Sequence, residues 1–95
     1  MGCEIDGTVE NCTLSNNVTI KKGAHVKDSV IFSGCVIEEG AEVGYSILDS
    51  NVTVGKNATV GDLTQKQTKI TLIGSGVKIE ENGKVKAGDM VEKEV

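Results

Sequence analysis

The single histidine, His25, is the first place to look for acid–base chemistry, because an imidazole can take and give a proton near neutral pH. It stands alone, whereas hydration chemistry on zinc would need three histidine ligands. Cys3, Cys12 and Cys35 are odd in number and form no C-x-x-C pair, so they suggest neither a disulfide framework nor a zinc site. The acidic residues show no pair at a site-like spacing, and the glycines form no G-x-x-x-x-G-K phosphate loop. Four Asn-x-Thr sequons begin at Asn11, Asn17, Asn51 and Asn57. We assign no catalytic, cofactor-binding or metal-binding residue from these.

The elements that must carry these residues explain them better than chemistry does. Leu14, Ile20 and Val26 are followed 17 residues later by Ile31, Ile37 and Val43, and then by Leu48, Val54 and Val60. Two residues before each lies a small or aliphatic residue: Cys12, Val18, Ala24, Ser29, Cys35, Ala41, Ser46, Val52 and Ala58. A strand alternates its faces, so both sets point inward while the residues on either side of each beat point out. Asn17, Gly34 and Asn51 recur three residues before a beat, as do Gly23, Gly40 and Asn57. Asn and Gly accept the positive φ of a sharp corner. Steps of six and five do not follow a 3.6-residue period, which excludes an amphipathic helix. The spacing predicts an all-β, three-sided parallel solenoid, whose coils must stack to bury their inner faces.

The beat extends upstream to Val9 and Cys3, and resumes downstream at Ile73, Ile79, Val85 and Val91, with corners at Gly76, Asn82 and Gly88. The polar stretch 62–69 reads as a loop. One domain is expected over 1–95, with regular coils over about 3–61, the loop, and a closing coil with a charged tail over 70–95. The abrupt beginning at Met1, without a cap, reads as a cut. The sequons then become by-products of corner Asn and outward Thr. His25 lies just before Val26 and points outward in a column with Glu42 and Thr59, where we read it as a solvated surface residue. Cys12 and Cys35 become inward fillers and buried free thiols, with Cys3 nearer the start and open to oxidation or intermolecular pairing.

The composition narrows the function classes. With one Phe, one Tyr, no Trp and 12 Gly, the core must be aliphatic. A formal charge of −4 and a pI near 4.9 argue against nucleic acid. No apolar run approaches the roughly 20 residues of a membrane span, and no signal-peptide pattern opens the chain. A soluble, cytoplasmic protein is expected. One outward feature is distinctive. On the side carrying Leu14, Ile31 and Leu48, the outward residues Val30, Phe32 and Ile47 form an apolar patch with Tyr45 at the nearby corner, a candidate contact surface.

The six-residue units Ile20-Lys21-Lys22-Gly23-Ala24-His25, Ile37-Glu38-Glu39-Gly40-Ala41-Glu42 and Val54-Gly55-Lys56-Asn57-Ala58-Thr59 resemble the hexapeptide repeat of left-handed parallel β-helices. The resemblance, not the spacing, implies the left hand. The stretch Gly2 to Leu14, GCEIDGTVENCTL, is similar to the opening of the carboxy-terminal β-helix of bacterial glucose-1-phosphate adenylyltransferases, with Cys12 where that family usually has Ser. Lys22 to Ile31, Ser46 to Asp49 and Ile70 to Val77 fit the same template. That family makes ADP-glucose and pyrophosphate from ATP and glucose 1-phosphate for glycogen synthesis, using an amino-terminal nucleotide-binding domain whose phosphate loop and metal-binding Asp have no counterpart here. The resemblance therefore implies a non-catalytic assembly and regulatory domain. No cofactor is expected in this domain, and ATP and Mg are expected in the parent enzyme. Its partners would be its own amino-terminal catalytic domain and neighbouring subunits in a homo- or hetero-oligomer. Two rivals are the β-helix of another sugar-phosphate nucleotidyltransferase, such as a mannose-1-phosphate guanylyltransferase, and a self-contained hexapeptide acyltransferase or scaffold.

Overall fold

A computed structural model describes residues 2–61, 70–86 and 88–92. Each coil contributes three short strands. The first coil holds β1 (Glu4–Ile5), β2 (Thr8–Glu10) and β3 (Thr13–Leu14), and the second β4 (Thr19–Ile20), β5 (His25–Lys27) and β6 (Val30–Ile31). The third holds β7 (Val36–Ile37), β8 (Glu42–Gly44) and β9 (Ser46–Leu48). The fourth holds β10 (Thr53–Val54), β11 (Thr59–Gly61) and β12 (Thr71–Ile73), and the fifth β13 (Lys78–Ile79), β14 (Lys84–Val85) and β15 (Met90–Val91). Every third strand pairs in parallel, giving three five-stranded sheets. Face A is β1-β4-β7-β10-β13, face B is β2-β5-β8-β11-β14, and face C is β3-β6-β9-β12-β15. No helix occurs among the described residues. The arrangement is that of the three-sided parallel solenoid read from the spacing, and is consistent with a left-handed β-helix.

The aliphatic columns are built as the repeat predicts. Ile20, Ile37, Val54 and Ile79 stack behind face A, Val26, Val43, Val60 and Val85 behind face B, and Ile31, Leu48 and Ile73 behind face C, all buried. Backbone amides of one coil donate to carbonyls of the next, as in Thr19 N to Cys35 O and Val36 N to Val52 O, both 2.9 Å. These bonds satisfy the polar backbone groups that the aliphatic columns take out of water.

Corner chemistry sets where the chain turns. Asn17, Gly34 and Asn51 have φ of 59°, 79° and 61°, and Gly23, Gly40 and Asn57 have 79°, 72° and 58°. A third positive-φ corner, Asn11, Asp28 and Tyr45, leads into face C. Gly and Asn do more than tolerate the turn. A Cβ on Gly34 would collide with the side-chain oxygen of Asn51 one coil on, and Gly40 meets Asn57 in the same way. The asparagine amide thus occupies the space that the glycine leaves empty.

Two departures from the 17-residue repeat are local. In the first coil Ile5, not Cys3, occupies the beat, since it pairs with Ile20. The expectation for Cys3 fails because the following corner is short, with only three residues between Ile5 and Val9. Gly7 makes this possible: a Cβ there would lie 2.5 Å from the Ala24 carbonyl oxygen and 2.7 Å from that of Lys21. Cys3 is instead half-buried and packs against the core. Later, Leu48 pairs with Ile73 across an interval lengthened by eight residues at the corner between β11 and β12. The loop expected over 62–69 and the tail beyond Glu92 lie outside the described residues.

Candidate contact face

Face C is set apart by what its strands present outward. Strand pairing aligns Thr13, Val30, Ile47, Leu72 and Met90 in one outward column. Four of these five are apolar, so the stripe runs along the last four coils. On face A the equivalent column is Glu4, Thr19, Val36, Thr53 and Lys78. On face B it is Thr8, His25, Glu42, Thr59 and Lys84. A β-branched residue on an outer strand position can be explained by strand propensity alone. A column of large apolar residues on one face, against columns that are polar on the other two except for Val36, cannot.

The sequence-selected residues fall on or beside this stripe. Val30 and Ile47 are half-buried within the column, and Phe32 is 39% exposed in the neighbouring outward column. Tyr45 is 41% exposed at the corner entering β9, with φ of 46°. A bulky side chain at positive φ is unfavourable, and Asn11 and Asp28 hold the equivalent corners at less cost. Leu72 and Met90 were missed by the sequence reading, although they immediately precede the beat residues Ile73 and Val91. Met90 is 63% exposed. The rule that found Val30 and Ile47 finds them too, once carried past the interruption at 62–69.

A hollow of about 210 Å³ lies on this face, lined by Ile47, Asp49, Leu72, Gly74, Met90 and Glu92. Gly74, in register between Asp49 and Glu92, contributes no side chain to it. A second hollow, about 360 Å³, lies on face A among Glu38, Thr53, Lys56, Lys78, Glu80 and Glu81, where charges of both signs alternate.

The groups that could do chemistry are dispersed. His25 is partly exposed on face B, with Nε2 3.1 Å from Oε2 of Glu10 in the preceding coil. Cys35 is buried, and its thiol donates to the carbonyl oxygen of Asp49 at 3.0 Å. Burial pushes that thiol above its ordinary value of 9.0. Cys12, expected to be buried, is only half-buried, and desolvation still raises its pKa. Cys3 donates its S–H to the Ser15 carbonyl oxygen at 3.1 Å. Among the described residues, no group of three His, Cys, Asp or Glu side chains could hold a metal ion. Nor do the described residues contain a helix long and apolar enough to cross a membrane.

Residues 1–80 match the family described as GlmU-like, C-terminal hexapeptide. The chain is also similar to glucose-1-phosphate adenylyltransferases. It is 50% identical over 88 residues to that of Clostridium perfringens, covering 90% of this chain and 22% of the relative. The corresponding protein of Acetivibrio thermocellus is 33% identical over 80 residues, covering 82% of this chain and 19% of the relative. The chain thus spans about a fifth of the length of these curated relatives. Parallel strands, aliphatic columns, Gly and Asn corners and the match over residues 1–80 agree, and the chain belongs to the GlmU-like C-terminal hexapeptide family.

Proposed function

We propose that this β-helix is a non-catalytic assembly and regulatory domain of a glucose-1-phosphate adenylyltransferase, an enzyme that forms ADP-glucose and pyrophosphate from ATP and glucose 1-phosphate in glycogen synthesis. The observation that carries the assembly reading is the apolar outward column of face C, running from Val30 to Met90. Apolar area left on one face of a soluble coil gains free energy when another surface covers it, by roughly 25 cal/mol per Å². Val30, Phe32, Ile47 and Tyr45 would pack against an amino-terminal catalytic domain or a neighbouring subunit in the cytoplasm. ATP and Mg would be handled by that catalytic domain. The substrate assignment is supported by the 50% identity to the Clostridium perfringens enzyme.

Two measurements on the full protein carrying this chain test the two halves of the reading. Pyrophosphate release with ATP and a panel of sugar 1-phosphates should be fastest with glucose 1-phosphate. Activity with another sugar and none with glucose 1-phosphate would overturn the substrate. Phe32→Glu should shift the sedimentation coefficient or loosen domain packing, as read by limited proteolysis. An unchanged assembly with unchanged proteolysis would remove the contact role.

A further inference from the structure

We infer that face C is a docking groove for a basic amphipathic helix lying along the axis of the coil. This rests on the reading of face C as a contact surface and specifies what it contacts. Among the described residues, the columns next to the apolar stripe carry carboxylates. Asp49 and Glu92 stand in the outward column beside it, Asp28 at the corner leading into it, and Asp89 in register with Thr71, all exposed. No described Lys or Arg lies in those columns; Lys27 and Lys86 stand one column further out on face B, where, as on face A, Lys is mixed with Glu. A second copy presenting the same face would set these carboxylates against their like, which disfavours self-association here. The complement is an apolar surface flanked by Lys or Arg.

Spacing selects a helix over a strand. Successive strands of a sheet are about 4.8 Å apart, so Val30 to Met90 spans three steps, about 14 Å. A helix laid along this column returns the same side every 5.4 Å, so three of its turns cover about 16 Å and drift by only about 2 Å. An extended strand in that place repeats its side chains about every 6.7 Å and drifts by about 6 Å. The hollow beside Leu72 and Met90 fits one Lys or Arg of such a helix. Its aliphatic stem would lie against Ile47 and Leu72, and its cationic head would sit over Gly74 between Asp49 and Glu92.

The test uses the 95-residue chain and two synthetic peptides of about 14 residues, stapled as helices, with Leu at i, i+3, i+4 and i+7. One carries Lys at the flanking positions and the other Glu. The Lys peptide should bind at least tenfold more tightly at low salt. Its methyl chemical-shift changes should concentrate on Val30, Ile47, Leu72 and Met90. Asp49→Asn with Glu92→Gln, both exposed, should preserve the spectrum of the free chain and remove most of the discrimination between the peptides. Equal binding of the two peptides, shift changes spread over faces A and B, or full discrimination in the double variant would each overturn the inference. If Phe32→Glu disrupts assembly of the full protein while the peptides fail to discriminate, the contact role stands and the basic helix falls. Peptide discrimination with unaltered assembly would keep the groove for a basic helix and remove face C from the assembly of the full protein.

Discussion

Gly34 and Asn51 show how single residues hold successive coils in register. Each has positive φ, and the asparagine amide fills the place where a Cβ on the glycine would stand. Gly34→Ala therefore meets two penalties: about 1–2 kcal/mol for an L residue in the left-handed region, and the collision with Asn51. Asn51→Gly keeps the turn and removes the obstacle. In urea denaturation the double variant should be more stable than the sum of the two single changes allows, by about 0.5–3 kcal/mol. Strict additivity would show that the corner columns do not interlock. Cys35 yields a second residue-scale prediction. Its pKa is raised by burial, so the folded chain keeps a proton that the unfolded chain releases once pH passes its ordinary value of 9.0. The stabilisation is complete below that value and is lost as pH rises through the folded pKa. From about pH 8 to pH 11 the urea midpoint of the wild type should fall more steeply than that of Cys35→Ala, and parallel slopes would contradict this assignment.

At the scale of the strand, inward columns do two different jobs. Behind faces A and B the fillers are Val18, Cys35, Val52 and Val77, and Ala24, Ala41 and Ala58, which act by volume. Behind face C they are Ser29, Ser46 and Thr71, buried hydroxyls with a bonding role. Ser29 Oγ donates to the Lys27 carbonyl oxygen at 2.9 Å and accepts from the Ser46 amide at 3.1 Å, and Thr71 Oγ1 accepts from the Gly88 amide at 2.9 Å. Ser29→Ala would preserve most of the packing but leave the Ser46 amide without that acceptor. It should cost about 1–3 kcal/mol, against a few tenths to about 1 kcal/mol for the half-exposed Thr19→Ala. Equal losses in chemical denaturation would reduce Ser29 to a spacer. The sequence made the beat, the corners and the outward patch legible because each depends on a period that side-chain type reports. The hydroxyl ladder was not legible, since a serine chosen for size and one chosen for its acceptor read alike. Nor was the displacement of Cys3 by Ile5, which depends on how closely Gly7 approaches the next coil. Leu72 and Met90 escaped because the interruption at 62–69 broke the count, although their local pattern is the same as that of Val30 and Ile47.

Across the whole molecule, stability should vary along the axis, because each coil is held only by its neighbours. The second and third coils bury Ile20, Val26, Ile31, Ile37, Val43 and Leu48 completely. In the first coil Ile5 is 42% exposed, and Val9 and Leu14 are only half-buried. At the other end Val91 is half-buried and Met90 stands out into solvent. In the 95-residue chain by itself, amides that the first coil donates to the second, Glu4 N to Val18 O and Thr8 N to Ala24 O, should therefore exchange at least tenfold faster than Thr19 N and Val36 N further along. Uniform protection would instead mean that the five coils open as one unit. The gradient bears on face C, whose stripe begins in the well-held second coil at Val30 and ends in the fifth at Met90. A partner anchored first on Val30, Phe32 and Ile47 would meet a surface already ordered, and would then cover Leu72 on the fourth coil and Met90 on the less well-held fifth. The exchange of Leu72 N, which donates to Asp89 O at 2.9 Å, and of Gly74 N, which donates to Val91 O, reports that second step. These two amides should gain more protection on assembly of the full protein than Thr19 N and Val36 N. Equal gains at all four sites would place the contact somewhere other than along this column.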